Sequence, residues 1–397
     1  MEKALSHLRV LDLSEQIAGP FCTKLLGDLG ADVVKIEAPP EGDRGRRLQP
    51  FAHDTPDPHG SLVFLYLNTN KRSVTLNLRT PEGIKVLTEL LATADALVES
   101  FAPGTLAALG LDDEALEQIN PGLVLTSITP FGQTGPYSHW KATELVEYAM
   151  SGVMAISGTQ GREPLKHGLS QAQYCGGFGG AIATLAALWF REETGEGQHV
   201  DVSIQECLAS TLLGNSTQYS YAGVVGGQSP SEGSSIGQVA PCKDGYIVGH
   251  MLQQRRREFI ELFGVPELAS PEFVNRRGRG GSQGKEMDAL LLPRYAQWNK
   301  FDLFNAANQR GLIFGVVQTP KDLAECPQLQ SRGFFVPVEH PTLGTVRHPG
   351  STFEMSETPW SLDRPAPLLG QHNDEIFCEE LGYSKREVAR LRKQGVL

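Results

Sequence analysis

No run in the 397 residues reaches the roughly 18 uninterrupted apolar positions that a membrane-crossing helix needs. The opening stretch from Met1 to His7 lacks the basic and long apolar regions of a signal peptide, which makes the cytoplasm the expected compartment. Positive charge is scarce: 35 Lys and Arg stand against 46 Asp and Glu, for a formal net charge of −11. Such a chain repels nucleic acid and anionic membrane, so neither is an expected partner, and any anion it binds requires a local site. The six cysteines (Cys22, Cys175, Cys207, Cys242, Cys326, Cys378) are scattered, with no CxxC and no His at zinc-ligand spacing. Free thiols in a reducing compartment are the simplest reading. None of the ten histidines falls in HExxH or a comparable metal pattern. There is no GxSxG elbow, no GxGxxG after the first strand and no GxxxxGK[ST]. Serine hydrolases of that type, dinucleotide dehydrogenases and P-loop enzymes are thereby disfavoured.

What is present is an alternation of strands and helices. Val10–Leu13 reads as a strand, Gly19-Pro20 as a turn into a helix running to Leu29, and Val33–Ile36 as a second buried strand. The pattern continues with a helix over 81–92, a strand at 96–98, a helix over 113–119 and a strand over 123–128. Strands separated by helices of this length predict a mostly parallel sheet covered on both faces. Gly176–Gly180 reads as the start of a helix through Phe190, apolar almost all round and therefore expected inside; His199–Val202 reads as another strand. Ser203 is placed to cap a helix towards Asn215, and Ser384-Lys-Arg-Glu387 fits a capping box.

Length favours two folding units, since single cores stop growing near ~250–300 residues. The expected division is a large α/β domain over 1–221, a Gly/Ser/Pro-rich linker over 222–238, a small domain over 239–337 with a basic stretch at Arg276–Gly281, and a return segment over 338–397.

Three local features suggest chemistry, each beside a plainer reading. Asn68 to Arg72 places two amides and two cations before a strand, a plausible grip on phosphates, although charges at strand ends are commonly just solvated. Gly176–Gly180 admits close approach of a ligand to a helix N-terminus, or simply tight helix packing. Lys141 and Glu144 would share one face of a helix, where an exposed ion pair is the ordinary outcome.

The order of motifs from Leu8 onward resembles the family III CoA-transferases, which include formyl-CoA and carnitine CoA-transferases and α-methylacyl-CoA racemase. The resemblance is carried by Leu11-Asp-Leu-Ser14 with Ala18-Gly-Pro20, the segment Leu29 to Glu37, Asn70-Lys-Arg-Ser73 and Val98 to Gly104. It continues through Phe131 to Tyr137, Ala149 to Gly152, Thr194 to Gln198 and Arg364 to Gly370. It implies a Rossmann-like large domain with a parallel sheet, a smaller α+β domain and two protomers interlocked as a dimer. The implied ligands are a coenzyme A thioester and a carboxylic acid, with no covalently bound cofactor and no metal. An active-site aspartate takes up the acyl group as a mixed anhydride in that family, and CoA thiolate then attacks it. The same resemblance places Gln16 and Ala18 against the thioester, Asn70, Lys71 and Arg72 at the pantetheine and phosphates, Ser100 and Phe101 near the adenine, and Lys141 with Glu144 at the site.

Two positions depart from the pattern. Ala108 stands where family sequences commonly carry an Arg. Counting back from Leu185-Ala-Ala-Leu188, Gln173 stands where the nucleophilic Asp is expected, and a carboxamide forms no anhydride. The racemase base pair corresponds here to Thr143 and Gln173, neither of which exchanges a proton as those bases do. The expected function is therefore acyl-CoA:carboxylate CoA transfer, by Glu144 or as the subunit lacking the catalytic Asp beside an Asp-bearing paralogue, in a homodimer or a heteromer. An acyl-CoA-binding or isomerising protein with different chemistry is the alternative.

Overall fold

The computed structural model describes residues 3–228, 238–270, 273 and 282–397. Much of the expected 222–238 linker and the basic stretch Arg276–Gly281 lie outside the described residues. By contacts the chain divides into two units, one comprising Met1–Ala155, Leu165–Gly226 and Ser331–Leu397, the other Ile156–Pro164 and Gly227–Gln330.

The first unit is built on six parallel strands in the order β3-β2-β1-β4-β5-β6. These are β1 Arg9–Asp12, β2 Asp32–Glu37, β3 Lys71–Thr75, β4 Ala96–Glu99, β5 Val124–Thr129 and β6 Gln198–Ser203. Val10, Leu11, Val33, Val34, Leu97 and Val98 are almost wholly buried, as near-continuous apolar strands must be when helices cover both faces. The connecting helices are α1 Ala18–Asp28, α2 Leu62–Leu67, α3 Pro81–Leu91, α4 Thr105–Ala108, α5 Asp113–Ile119, α6 Glu144–Met150, α7 Val153–Ile156, α8 Gln171–Thr194, α9 Ile204–Ala209 and α10 Gly214–Ala222. Leu11, Val34, Leu97 and Leu125 pack with α3 and α5 on one face; Val10, Val33, Val98 and Ile128 pack with α1 and α8 on the other. The chain's last residues join the first of these cores through Ile376, Phe377, Val388, Leu391 and Val396. Their helix, Lys385–Lys393, opens on the expected capping box between Ser384 and Glu387.

The glycine run corrects one expectation: it lies inside α8, not at its start. A Cβ on Gly177 would come 2.6 Å from the Ala18 carbonyl oxygen, and one on Gly180 2.6 Å from Ile128. The glycines therefore let α8 settle onto α1 and β5, the packing reading rather than the ligand one. Nor is α8 buried all round. Ile182 and Trp189 are each 68% exposed, leaving one apolar face of the helix uncovered in the single chain.

The second unit has an antiparallel sheet of Val239–Cys242, Gly245–His250 and Ile313–Val316. Phe259, Phe263, Tyr295 and Phe314 form its core.

At the carboxyl end of β1 the first unit buries a charged cluster. Asp12 accepts from Lys71 Nζ at 3.0 Å, Thr23 Oγ1 at 2.7 Å and the Ser14 backbone N–H at 3.0 Å. Lys35 Nζ lies 3.8 Å from Asp12 and 2.8 Å from Asp43, and donates to the Ser14 carbonyl at 2.9 Å. Burial pushes the Asp12 carboxyl up, but Lys35, Lys71 and the Ser14 and Thr23 hydroxyls outweigh it and hold it well below the usual range. Burial also lowers the Lys71 ammonium to about 8. Breaking such a cluster leaves an uncompensated charge inside the protein. Asp12→Asn is expected to cost about 3–5 kcal/mol of unfolding free energy in urea titrations near neutral pH. Because the folded Asp12 carboxyl is the more acidic, that difference shrinks as pH falls below the unfolded carboxyl's range near ~4.

Candidate active site

Strand order reverses between β1 and β4, and the crevice at the carboxyl ends of those strands is where open parallel sheets bind ligands. The loop after β1 runs along it. Gln16 adopts a φ of 68° there, and its backbone N–H donates to Asp43 Oδ1 at 2.9 Å, so the buried cluster sets the shape of the loop. Ser100, just past β4, accepts the Glu15 N–H on its hydroxyl at 2.9 Å and ties the two loops together. The next residue, Phe101, donates its N–H to Glu99 at 2.5 Å. A cavity of about 160 Å³ follows, lined by Glu99, Ala102, Gly104, Thr105, Ser127 and His199 among others. Gln16 and Ala18 thus follow β1, and Ser100 and Phe101 follow β4, on the two strands that flank the switch point.

Two further elements close on this loop from α8's side. Glu144 is the first residue of α6, and its carboxylate accepts the backbone N–H groups of Ala172 at 3.3 Å and Gln173 at 3.2 Å. It thereby serves two otherwise unpaired donors in the first turn of α8. Lys166 Nζ pairs with the same carboxylate at 3.2 Å. One turn further along α6, Glu147 is 1% exposed. The Gln173 carboxamide bridges the two sides of the site. Its Nε2 lies 2.9 and 2.7 Å from the two Glu147 carboxylate oxygens, and its Oε1 accepts the Ala18 N–H at 3.3 Å. Burial pushes the Glu147 carboxyl up to about 7; the Gln173 bond pulls the other way, and the negative Glu144 adds to the rise.

Lys71 Nζ is spent inside the fold on Asp12, the Pro20 carbonyl and Asn68, and Arg72 is held by Asp32, Glu375 and Glu380. Asn70 fastens the return segment, donating to Asp28 and the Ser361 carbonyl and accepting from the N–H groups of Asp363 and Arg364. Lys71 and Arg72 open β3 and Asn70 directly precedes it, and the side chains of all three already have partners within the fold. Lys141 is exposed and precedes α6 rather than sharing it with Glu144, whose ion pair is with Lys166. The residue that sequence reasoning missed is Glu147. Its signal was the i, i+3 spacing from Glu144, which puts both carboxylates on one helix face.

The first unit is thus an open parallel α/β sheet with a strand-order switch point and two carboxylates gathered at the amino end of a long helix. The family model for CoA-transferase family III matches residues 5–373, and the chain belongs to that family. It is 32% identical over 402 aligned residues to the human succinyl-CoA:glutarate CoA-transferase, covering 100% of this chain and 90% of that one. It is likewise 32% identical to the succinyl-CoA:(R)-benzylsuccinate CoA-transferase subunit BbsE of Thauera aromatica, covering 100% of this chain. The crystal structure of a CAIB/BAIF family protein from Brucella suis superposes with a TM-score of 0.85 at 31% identity, over 96% of this chain and 100% of that chain. The six-stranded parallel sheet accords with the expected α/β class, and CoA thioesters are the substrates of this family. Among the described residues no helix is long and apolar enough to cross a membrane, and no His, Cys, Asp and Glu group is arranged to hold a metal ion.

The buried Glu147 carboxyl makes a test of the geometry. A carboxyl whose folded value is raised from 4.5 to about 7 penalises the fold as pH climbs through that interval, and imposes no penalty below it. Glu147→Gln removes that penalty. In urea unfolding, the stability of Glu147→Gln relative to wild type is expected to rise by roughly 3 kcal/mol between pH 4 and pH 8.

Proposed function

We propose that this chain transfers coenzyme A from an organic-acid CoA thioester to a second carboxylic acid, by a route in which residue 173 is not the nucleophile. The observation that carries the reading is the Gln173 carboxamide, held between the Ala18 N–H and Glu147 in the place the family resemblance gives to an aspartate. An amide oxygen at neutral pH is too weak a nucleophile for acyl capture, and each ~1.4 kcal/mol added to a barrier costs a factor of ten in rate. Residues Gln16, Ala18, Ser100 and Phe101 form the CoA-facing side of the crevice in this reading. Mixing the purified chain with succinyl-CoA and a panel of organic acids tests it: new CoA thioesters are expected, and binding of acyl-CoA without any transfer would favour a binding or isomerising protein.

A second reading has a specific support. A relative named as a subunit matches the full length of this chain, and α8 exposes Ile182, Trp189 and Phe190, an apolar face that a second chain would cover. In that reading the chain pairs with an Asp-bearing homologue, and transfer appears only when the two are co-expressed. With either partner a dimer is expected in sedimentation.

Position 173 offers a further test. Gln173→Asp alone sets a carboxylate against Glu147, and two such groups cannot both ionise readily. The single substitution is therefore expected to lower transfer below that of the unaltered chain. Gln173→Asp combined with Glu147→Gln exchanges amide and carboxylate, and mass spectrometry of acyl-CoA-treated protein is expected to find the acyl adduct on residue 173.

A further inference from the structure

The two ends of the Gln173 side chain describe what a ligand would meet. A carboxamide and a thioester are both planar acyl groups, with a carbonyl oxygen on one side and a larger heteroatom on the other. The carboxamide oxygen rests on the Ala18 N–H at 3.3 Å, and its nitrogen rests on the Glu147 carboxylate at 2.7 Å. A thioester carbonyl that takes over the Ala18 N–H therefore has the Glu147 carboxylate about one amide group's width from its carbon. Backbone N–H groups so placed stabilise the oxyanion of a tetrahedral intermediate. Glu144 is less suited: both of its oxygens already serve the first turn of α8, and Lys166 compensates its charge. Among the described residues no cation is paired with Glu147, whose hydrogen bonds come from the neutral Gln173 amide. A carboxylate left without a counter-ion in a buried site is more basic than an exposed one, and more nucleophilic for that reason.

We infer that Glu147 is the acyl-accepting residue of this chain, with the Gln173 carboxamide holding it in position until the incoming thioester displaces that carboxamide from between the Ala18 N–H and Glu147. The inference rests on the CoA-transfer reading. In the step it assigns, a Glu147 carboxylate oxygen attacks the thioester carbonyl carbon and a C–O bond forms. The C–S bond breaks, and its electron pair leaves on sulfur as CoA thiolate. The product is a mixed anhydride between Glu147 and the acyl group, and no oxidant, reductant or net proton transfer is needed. CoA thiolate then attacks the Glu147 carbonyl, releasing the first acid and leaving a glutamyl thioester for the acceptor carboxylate.

The test uses the full chain without a second protein. It is incubated with succinyl-CoA and then hydroxylamine, which converts either an anhydride or a glutamyl thioester to a stable hydroxamate, and its peptides are mapped by mass spectrometry. A hydroxamate on Glu147, absent without succinyl-CoA and absent in Glu147→Gln, is the expected result. Calorimetry on the same preparation separates the failures. Succinyl-CoA binding with no adduct, or with an adduct on another residue, overturns the role of Glu147 and leaves the CoA-transfer reading standing. No succinyl-CoA binding overturns both. Because the adduct is sought in the wild-type protein, an unstable variant does not obscure the outcome.

Discussion

Everything at the site hangs on the buried pairing of Asp12 with Lys35 and Lys71. Two lysines inside a sheet would be ruinous without a carboxylate between them, and Asp12 without them would not stay ionised. Their mutual compensation fixes where β1 ends. Through Lys35 and the Ser14 carbonyl, and through Asp43 and the Gln16 N–H, the same cluster bends the chain into the loop that presents Ala18. The outer parts of the sheet are drawn in as well, because Lys71 comes from β3 and Lys35 from β2.

Onto that loop the protein docks α8, and the glycines of α8 are what permit contact at backbone distance. A side chain on Gly177 would strike the Ala18 carbonyl, and the helix would have to withdraw. With α8 withdrawn, the Gln173 carboxamide would no longer reach the Ala18 N–H. The Gln173 bridge, the carboxylates of α6 and the exposed apolar face of α8 are thus parts of one arrangement. A helix placed to bring its first turn to the site also leaves its far side for another surface to cover.

Much of this was legible in the sequence. The spacing of Val10, Leu11, Val33 and Val34 around a helix-length segment announces buried parallel strands, and the capping box at Ser384 stands as read. Gln173 was found by counting from a helix whose pattern is unmistakable. What stayed hidden depends on partners far away in the chain. The cations of Lys71 and Arg72 look available until Asp12, Asp32, Glu375 and Glu380 come to meet them. Glu147 looks like an ordinary acidic residue on a short helix, because its burial is decided by α8, which begins 24 residues later at Gln171. A run of five residues with four glycines reads equally well as a loop or as a helix face, and only the neighbour decides.

The central claim is that this chain transfers CoA through a carboxylate of its own rather than through residue 173. It is tested most directly by supplying the purified chain with succinyl-CoA and an acceptor acid whose carboxylate carries heavy oxygen, then locating the label after turnover. Covalent transfer deposits an acceptor oxygen in the carboxylate that carried the acyl group, so heavy oxygen in the peptide containing Glu147 is the predicted result. Turnover that leaves every carboxylate of the chain unlabelled would contradict the account, as would turnover that begins only when an Asp-bearing second chain is added.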